Sequence, residues 1–559
     1  MNRLKTPLES VDYLYSPVST QTLPLAVPAL TRRWYGIFVP SIADLFFAAV
    51  IVWLFVAGAY GWQSLLLDGD VGAHIRIGDH ILANRSVPTH DFLAFSRPGQ
   101  EWLASEWLTE VIFSFLHSQA GLKGVVLLSG VVLAGTFTIL LLHTLWRGAN
   151  IVIALALVLM AVNASSIHFH ARPHIFTLLF VAIAAWLIEA DRRHRTWALW
   201  LLLPIACVWT NLHGGFLVLF ALLGLLVAGC LAESFLWGEP GSWRKSVAWR
   251  YGLLGVGCGL ASLINPYGVK LHLYLREFMN ASAILNGVQE FQSPSFRSES
   301  MFHYMIMLFL ALAITGSLLK KHRLTEILWI WFLAYQSLMS VRHVPLFVIV
   351  AVPVVAVEVT AWWHGWVQNQ SRRSIAATLE AVTAQFQAGS LRWSLWTPAL
   401  VLALALSHFS NWPKTLLDGP FPVKIVEAHA DEIATSRVYT SDSWAGYLIY
   451  RNYPRQRVFF DDRPGYFGLP IIHDYLHLAD GSFEWRELLE RYRFDLVLCS
   501  ASSPLASLMK LHPDWKVVED DGKIILFRKN GRQSAVGAQQ TAIKPLLTGL
   551  LAVGDGLSQ

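Results

Sequence analysis

The chain has 559 residues, of which 54% are apolar and only 14% charged, and its mean hydropathy is +0.45. That is more apolar material than a soluble core can hide, so the composition excludes an ordinary soluble globular protein and points to an α-helical protein that crosses a membrane many times. The net charge of +5, with basic residues in short clusters beside apolar runs, argues against a nucleic-acid partner, and the four scattered cysteines (Cys207, Cys230, Cys258, Cys499) indicate neither a disulfide framework nor a zinc site.

Residues 1–38 are polar and proline-rich, show no cleavable signal pattern, and read as a cytoplasmic segment ending just after Arg32 and Arg33. Apolar runs follow near 39–62, 122–146, 149–166, 173–190, 197–212 and 214–236, then near 250–265, 302–319, 324–341, 345–362 and 394–409. At about 20 residues per crossing these predict about eleven transmembrane helices in a domain spanning 39–410. Basic clusters fall on alternate connections, at Arg147, Arg192/Arg193/Arg195, Arg244/Lys245/Arg250, Lys320/Lys321/Arg323 and Arg372/Arg373. With Arg32/Arg33 they put the amino end in the cytoplasm and the carboxyl end outside the cytoplasmic (inner) membrane. Inside the first outer loop, 63–121, the stretch 106–118 is apolar but short and carries Glu106 and Glu110. It is therefore expected to be a helix on the outer membrane surface, not a crossing.

This topology collects the remaining ionisable residues on the outer face. The first loop brings Asp68, Asp70, His74 and Arg76, and the next outer connection brings His168, His170, Arg172 and His174. Asn211, His213, Glu290, Arg342 and His343 follow on the same side. Ionisable groups at membrane depth are costly and mark substrate paths; for any one of them the alternative is an arginine that snorkels or a histidine that caps a helix end. From Val71 onward, Val71, Ile75, Ile77, Ile81 and Leu82 predict an amphipathic helix with Asp70 as its N-cap and His74 one turn along the same face.

Residues 420–530 break the apolar pattern and read as a small extracytoplasmic α/β domain, with predicted strands at 437–440, 457–460, 494–499, 516–518 and 524–528. Asp461-Asp462-Arg463 closes the second of these, either as a ligand site at a strand end or as a charged turn in which Arg463 pairs with its neighbours. Ser371–Gln387 could form an amphipathic helix at the inner surface, and 531–559 reads as a flexible tail.

The segment Asp70-Val71-Gly72-Ala73-His74-Ile75-Arg76, followed by Gly78, Pro88 and Asp91, resembles the first external loop of the GT-C superfamily of membrane glycosyltransferases, oligosaccharyltransferase catalytic subunits among them. The likeness is greater to bacterial GT-C-like membrane proteins with Asp-x-Asp, His, Gly and Pro-x-x-Asp, then Trp102 and Glu106-Trp107-Leu108-x-Glu110. The resemblance implies about 11 to 13 spans, often with an extracytoplasmic carboxyl-terminal domain. It implies transfer of a sugar from a polyprenyl-phosphate-linked donor to a glycan, lipid or protein acceptor outside the cytoplasm, in contact with membrane lipids. Carried over residue by residue, it makes Asp70 the general base, Asp68 its partner in Asp-x-Asp, and Glu290 a functional acid in the loop Gly287-Val288-Gln289-Glu290. His74, Glu106 and Glu110 belong to the same motif region.

Arg172, His174, Arg342, His343 and Arg76 are the cations expected to stabilise the departing lipid phosphate. Asp68, Glu290 and the pair His168/His170 could instead bind a divalent ion such as Mg²⁺ or Mn²⁺, although two histidines one residue apart are a weak metal pattern. Two departures stand out. His168-x-His170 replaces the second acidic pair of oligosaccharyltransferases, and Ser443-Trp444-Ala445-Gly446-Tyr447 stands where their Trp-Trp-Asp-Tyr-Gly motif would be, so glycosylation of Asn sequons is not expected. Other classes remain for a chain of this topology: a lipid or solute transporter or flippase, which tends to place charges at the midplane of paired repeats not visible here, or a noncatalytic scaffold of the cell envelope.

Overall fold

The computed structural model describes residues 37–57, 61–237, 242–280, 289–371, 373–387, 394–408 and 412–531. The expected cytoplasmic segment with Arg32 and Arg33, the side chains of Arg244 and Lys245, residues Gly287, Val288 and Arg372, and the tail from 532 lie outside the described residues.

The first apolar helix, α1 (Ile42–Val52), starts in a capping box: the Ser41 hydroxyl accepts from the Asp44 amide at 3.2 Å while the Asp44 carboxylate accepts from the Ser41 amide at 2.7 Å. Two amides that a helix start leaves orphaned are thereby satisfied where water is scarce. The same carboxylate also accepts from the hydroxyls of Ser394 and Thr397, each at 2.6 Å, which fastens the first predicted span to the last. A π-helical turn over Trp53–Ala57 continues α1 toward the first outer loop.

That loop holds α2 (Asp70–Asn84) and α3 (Trp107–Ala120), which pack on each other. At 14 residues α3 is about 21 Å long, short of the ~30 Å hydrocarbon core. Then come α4 (Leu122–Trp146), α5 (Ile151–Ser165), α6 (His174–Arg193), α7 (Leu202–Leu212), α8 (Leu217–Leu236), α9 (Ser242–Ser262) and α10 (Val269–Asn280). After them stand α11 (Glu299–Ala313), α12 (Thr315–Lys320), α13 (Leu324–Met339), α14 (Val344–Gln368), α15 (Ile375–Gln387) and α16 (Trp396–Leu406). Among the described residues six helical stretches are long and apolar enough to cross a membrane: Leu122–Trp146, Ile151–His168, His174–Arg193, Gly214–Leu236, Glu299–Lys320 and Val341–Gln368. The core is organised around α14, whose residues Val344 to Ala356 are all buried. A helix apolar on every side is the type that a multi-helix bundle encloses.

The charges sort to the two ends of α6. At its carboxyl end Glu189 pairs with Arg147 at 2.6 Å and Arg192 pairs with Glu326 at 3.0 Å, so acids absorb part of the basic clusters. At its amino end stands Arg172 with the acidic loops. Twenty residues of helix separate the two groups by about 30 Å.

The carboxyl-terminal domain carries a four-stranded sheet of β1 (Val438–Tyr439), β2 (Leu496–Ser500), β3 (Trp515–Asp520) and β4 (Ile524–Lys529) in the order β1-β2-β4-β3. β1 and β2 are parallel and the other pairings antiparallel. The predicted strand at 457–460 is not part of it. Val458 instead pairs with the first outer loop, its amide donating to Leu93 O and its carbonyl accepting from Phe95 N, both at 2.9 Å. The domain's helix α17 (Asp442–Asn452) packs on α2 at glycines. A Cβ on Gly69 would stand 1.9 Å from Ser443 O, and one on Gly72 would stand 2.5 Å from Tyr450 Cβ. The helix α18 (Pro464–Ala479) follows Arg463.

Candidate active site

Asp70 is the first residue of α2, not its N-cap as expected: the cap is Gly69, and the Asp68 carboxylate accepts from the Asp70 amide at 3.0 Å. Asp68 thus takes the capping work, which leaves the Asp70 side chain free to turn into the cluster. There the Arg172 guanidinium meets four carboxylates from three segments of chain. Its Nη1 lies 2.8 Å from Asp68 Oδ2 and 2.8 Å from Glu290 Oε1, and its Nη2 lies 2.8 Å from Asp70 Oδ2 and 2.9 Å from Asp462 Oδ2. Arg342 adds a longer contact of 4.0 Å to Glu290 Oε2 and lies over the Phe291 ring.

One cation among four acids divides their proton affinities. Burial raises Asp68 and Glu290, but the Arg172 charge beside them overcomes it and holds both down at about 2, so both are ionised. Asp70 moves the other way, well above the ordinary carboxylate range, because burial and the neighbouring Asp462 charge outweigh Arg172. Asp462 is raised as well, first by burial, and the two hydrogen-bond side chain to side chain. The pair therefore shares a proton.

A second polar cluster adjoins the first through α2. His74 Nδ1 lies 3.4 Å from Glu110 Oε1 and its Nε2 3.8 Å from Glu106, which in turn lies 3.4 Å from His213 Nε2. Burial pushes Glu110 up to about 8 and pushes His74 down, so at neutral pH both are uncharged and the Glu110 hydroxyl can donate to the imidazole. Glu106 is also raised by burial.

The structure brings Asp68, Asp70, Arg172, Glu290 and Arg342 together, with His170 beside Asp68. His168 lies toward Glu290, and its carbonyl accepts from His174 Nε2 at 2.7 Å. Two residues expected here are elsewhere. Arg76 donates to Tyr450 O and pairs with Asp79, both at 2.7 Å, so it docks α17. His343 bonds the helix carbonyl of Gln336 at 3.2 Å, the end-capping role that an outer histidine can always take. Asp462 is absent from the predicted set. Its only sequence signal is the Asp-Asp-Arg run: Arg463 pairs with its neighbour Asp461 at 2.7 Å, as the charged-turn reading has it, while Asp462 enters the carboxylate cluster. Arg463 also reaches Asp91 at 2.7 Å and covers the Trp102 ring, so the Pro-x-x-Asp and Trp102 elements of the loop serve to dock the domain.

The four carboxylates have the oxygen chemistry of a Mg²⁺ or Mn²⁺ site. Arg172 stands between them, however, and His168 and His170 approach different acids. Among the described residues no group of three His, Cys, Asp or Glu is arranged to hold a metal ion. The residues as placed do not fit a resident metal.

Beside the cluster lies a mostly apolar cavity of about 300 Å³ lined by Trp53, Leu54, Leu67, Ile167 and Phe169, together with Ser64, Ser166 and His170. Ile167 and the nearby Val56 are exposed, so this wall faces outward.

No protein-family model matches the chain, and no curated protein matches it. Among solved structures it is similar to the archaeal oligosaccharyltransferase AglB from Archaeoglobus fulgidus in complex with an inhibitory peptide and a dolichol-phosphate. That match has 11% identity and a TM-score of 0.48 over 82% of this chain and 69% of that one. It is also similar to the Archaeoglobus fulgidus oligosaccharyltransferase tethered with an acceptor peptide, at 11% identity and a TM-score of 0.49 over 82% and 68% of the two chains. A third is the arabinofuranosyltransferase AftD from Mycobacteria, at 13% identity and a TM-score of 0.42 over 88% of this chain and 40% of that one. These neighbours are membrane glycosyltransferases of the GT-C superfamily.

Proposed function

We propose that this protein is a membrane glycosyltransferase that moves a sugar from a polyprenyl-phosphate-linked donor to an acceptor at the outer face of the cytoplasmic membrane. About eleven crossings, a cytoplasmic amino end and an extracytoplasmic carboxyl-terminal domain complete the reading. The observation that carries it is the Asp70 carboxyl, held by Arg172 at 2.8 Å and raised in proton affinity, next to an apolar cavity open on its outer wall.

In this mechanism Asp70, once the proton of the shared pair rests on Asp462, takes the proton of the acceptor hydroxyl as that oxygen attacks the anomeric carbon, while the sugar–phosphate bond breaks and the lipid phosphate leaves. An aspartate of raised pKa is a stronger base than an ordinary one and works nearer to neutral pH. Arg172 is committed to carboxylates and fixes the angle of Asp70. Arg342, with one long ion pair, is the group left to meet the phosphate, while His174 Nε2 is taken up by the His168 carbonyl. The donor's apolar tail occupies the cavity between Trp53 and Phe169. The test is direct: purified protein in lipid vesicles, given synthetic polyprenyl-phosphate hexoses and pentoses, releases polyprenyl phosphate only when a matching donor and acceptor are present. No release across a panel of such donors overturns the reading.

A further inference from the structure

We infer that Arg172 is the built-in cation of the carboxylate cluster, standing in the position that a divalent metal ion would need, so that the protein works with no bound metal and gains a metal site only when this guanidinium is removed.

Four carboxylate oxygens surround the two terminal nitrogens of Arg172 at 2.8 to 2.9 Å. A Mg²⁺ ion needs its oxygens at about 2.0–2.1 Å in a near-octahedral shell, a geometry that no ion can take while the planar guanidinium fills the centre. The outer oxygens offer little more. Asp68 Oδ1 accepts the Asp70 amide at 3.0 Å, Glu290 Oε2 faces Arg342 at 4.0 Å, and Asp70 and Asp462 hydrogen-bond to each other. A guanidinium suits this duty because it is charged at every accessible pH and presents its N–H groups in a fixed fork. Its presence also explains how the cluster draws acids from the first loop, from Glu290 and from the carboxyl-terminal domain into one place without mutual repulsion winning.

The consequence for turnover rests on the glycosyltransferase reading, but ion binding does not. Mn²⁺ is titrated into the full-length protein in nanodiscs and followed by electron paramagnetic resonance. Wild type is expected to bind no stoichiometric Mn²⁺ at submillimolar concentration. Arg172→Ala, in which the acids remain and the cation is gone, is expected to bind one equivalent at least tenfold more tightly than wild type, and Glu290→Gln added to it should abolish the gain. Arg172→Met, which keeps most of the side-chain volume, serves where the alanine variant does not fold. One equivalent bound by wild type and lost in Glu290→Gln alone overturns the inference, and so does a folded Arg172 variant that binds none. In parallel, EDTA should leave wild-type transfer within twofold of its untreated rate. Loss of transfer restored by Mg²⁺ or Mn²⁺ overturns the inference. Absence of transfer under every metal condition overturns the proposed activity and leaves the Mn²⁺ result to stand by itself.

Discussion

The carboxyl groups of Asp70, in the first outer loop, and Asp462, in the carboxyl-terminal domain, hydrogen-bond to each other while one nitrogen of Arg172 holds an oxygen of each, at 2.8 and 2.9 Å. The carboxyl-terminal domain therefore supplies part of the carboxylate cluster. Asp70→Asn keeps a hydrogen-bonding group in the same place but cannot take a proton. Transfer should fall by about 10²–10⁴-fold with the thermal melt unchanged, and turnover at the wild-type rate would remove Asp70 from the role of base.

Asp462→Asn tests the partnership through pH. The Asp462 charge is one of the causes that raise Asp70, so its removal should let Asp70 ionise at lower pH. The acid limb of kcat/KM against pH is then expected to shift to lower pH, whereas a merely structural role would scale the rate and leave the limb where it is.

Arg463 binds the fully buried Asp91 and the nearly buried Asp461 at 2.7 Å each. Arg463→Ala strands those acids. A loss of about 3–5 kcal/mol in domain docking is expected, read as faster proteolytic release of the carboxyl-terminal domain from membranes. Equal proteolysis rates would show that the clamp is dispensable.

Gly72 leaves no room for a methyl group, since its Cβ would meet Tyr450 Cβ at 2.5 Å and Gly446 O at 2.8 Å. Gly72→Ala should force α17 off α2 at a cost of about 1–3 kcal/mol and weaken transfer by displacing Asp462. A crystal or cryo-EM structure of the variant with α17 unmoved would contradict this.

Glu110 carries a pH-dependent stability term. Its folded pKa, about 8, exceeds the ordinary 4.5, so the folded state holds its proton longer than the unfolded one and stability falls as pH rises from 4.5 to 8. The slope is at most about 1.4 kcal/mol per pH unit. Glu110→Gln mimics the protonated acid at every pH. Its Tm should depend less on pH across that window, and identical slopes for variant and wild type would rule the effect out.

Sidedness is open to chemistry. Phe483 is 90% exposed on the carboxyl-terminal domain and Ile375 is 88% exposed at the start of α15. Phe483→Cys should react with an impermeant maleimide in intact cells, and Ile375→Cys only after permeabilisation. The opposite pattern would invert the topology.

The long apolar stretches, the short helix α3 and the gathering of acids and histidines near the amino end of α6 were legible in the chain. Each rests on a local property: a run of apolar residues long enough for a bilayer, a run too short, or a charge that a span cannot carry. The Asp-x-Asp element was likewise readable, because both residues lie within one turn of chain. Which outer cations join the cluster was not. Arg76 and Arg172 are alike as letters, yet Tyr450 and Asp79 hold one while four acids hold the other. The extended segment at 457–460 was visible as strand-like, but its partner is Leu93–Phe95 of the first loop, not the sheet. Backbone hydrogen bonds can be satisfied by any edge that packing brings near.

What the sequence determined by itself is thus the class of protein, a helical membrane protein, and the stretches that carry its clustered charges, since apolar run length and charge position act residue by residue. What only the tertiary structure decided is the membership of the site, above all Asp462 beside Asp70, because burial and Coulomb attraction depend on distances between segments that lie far apart along the chain.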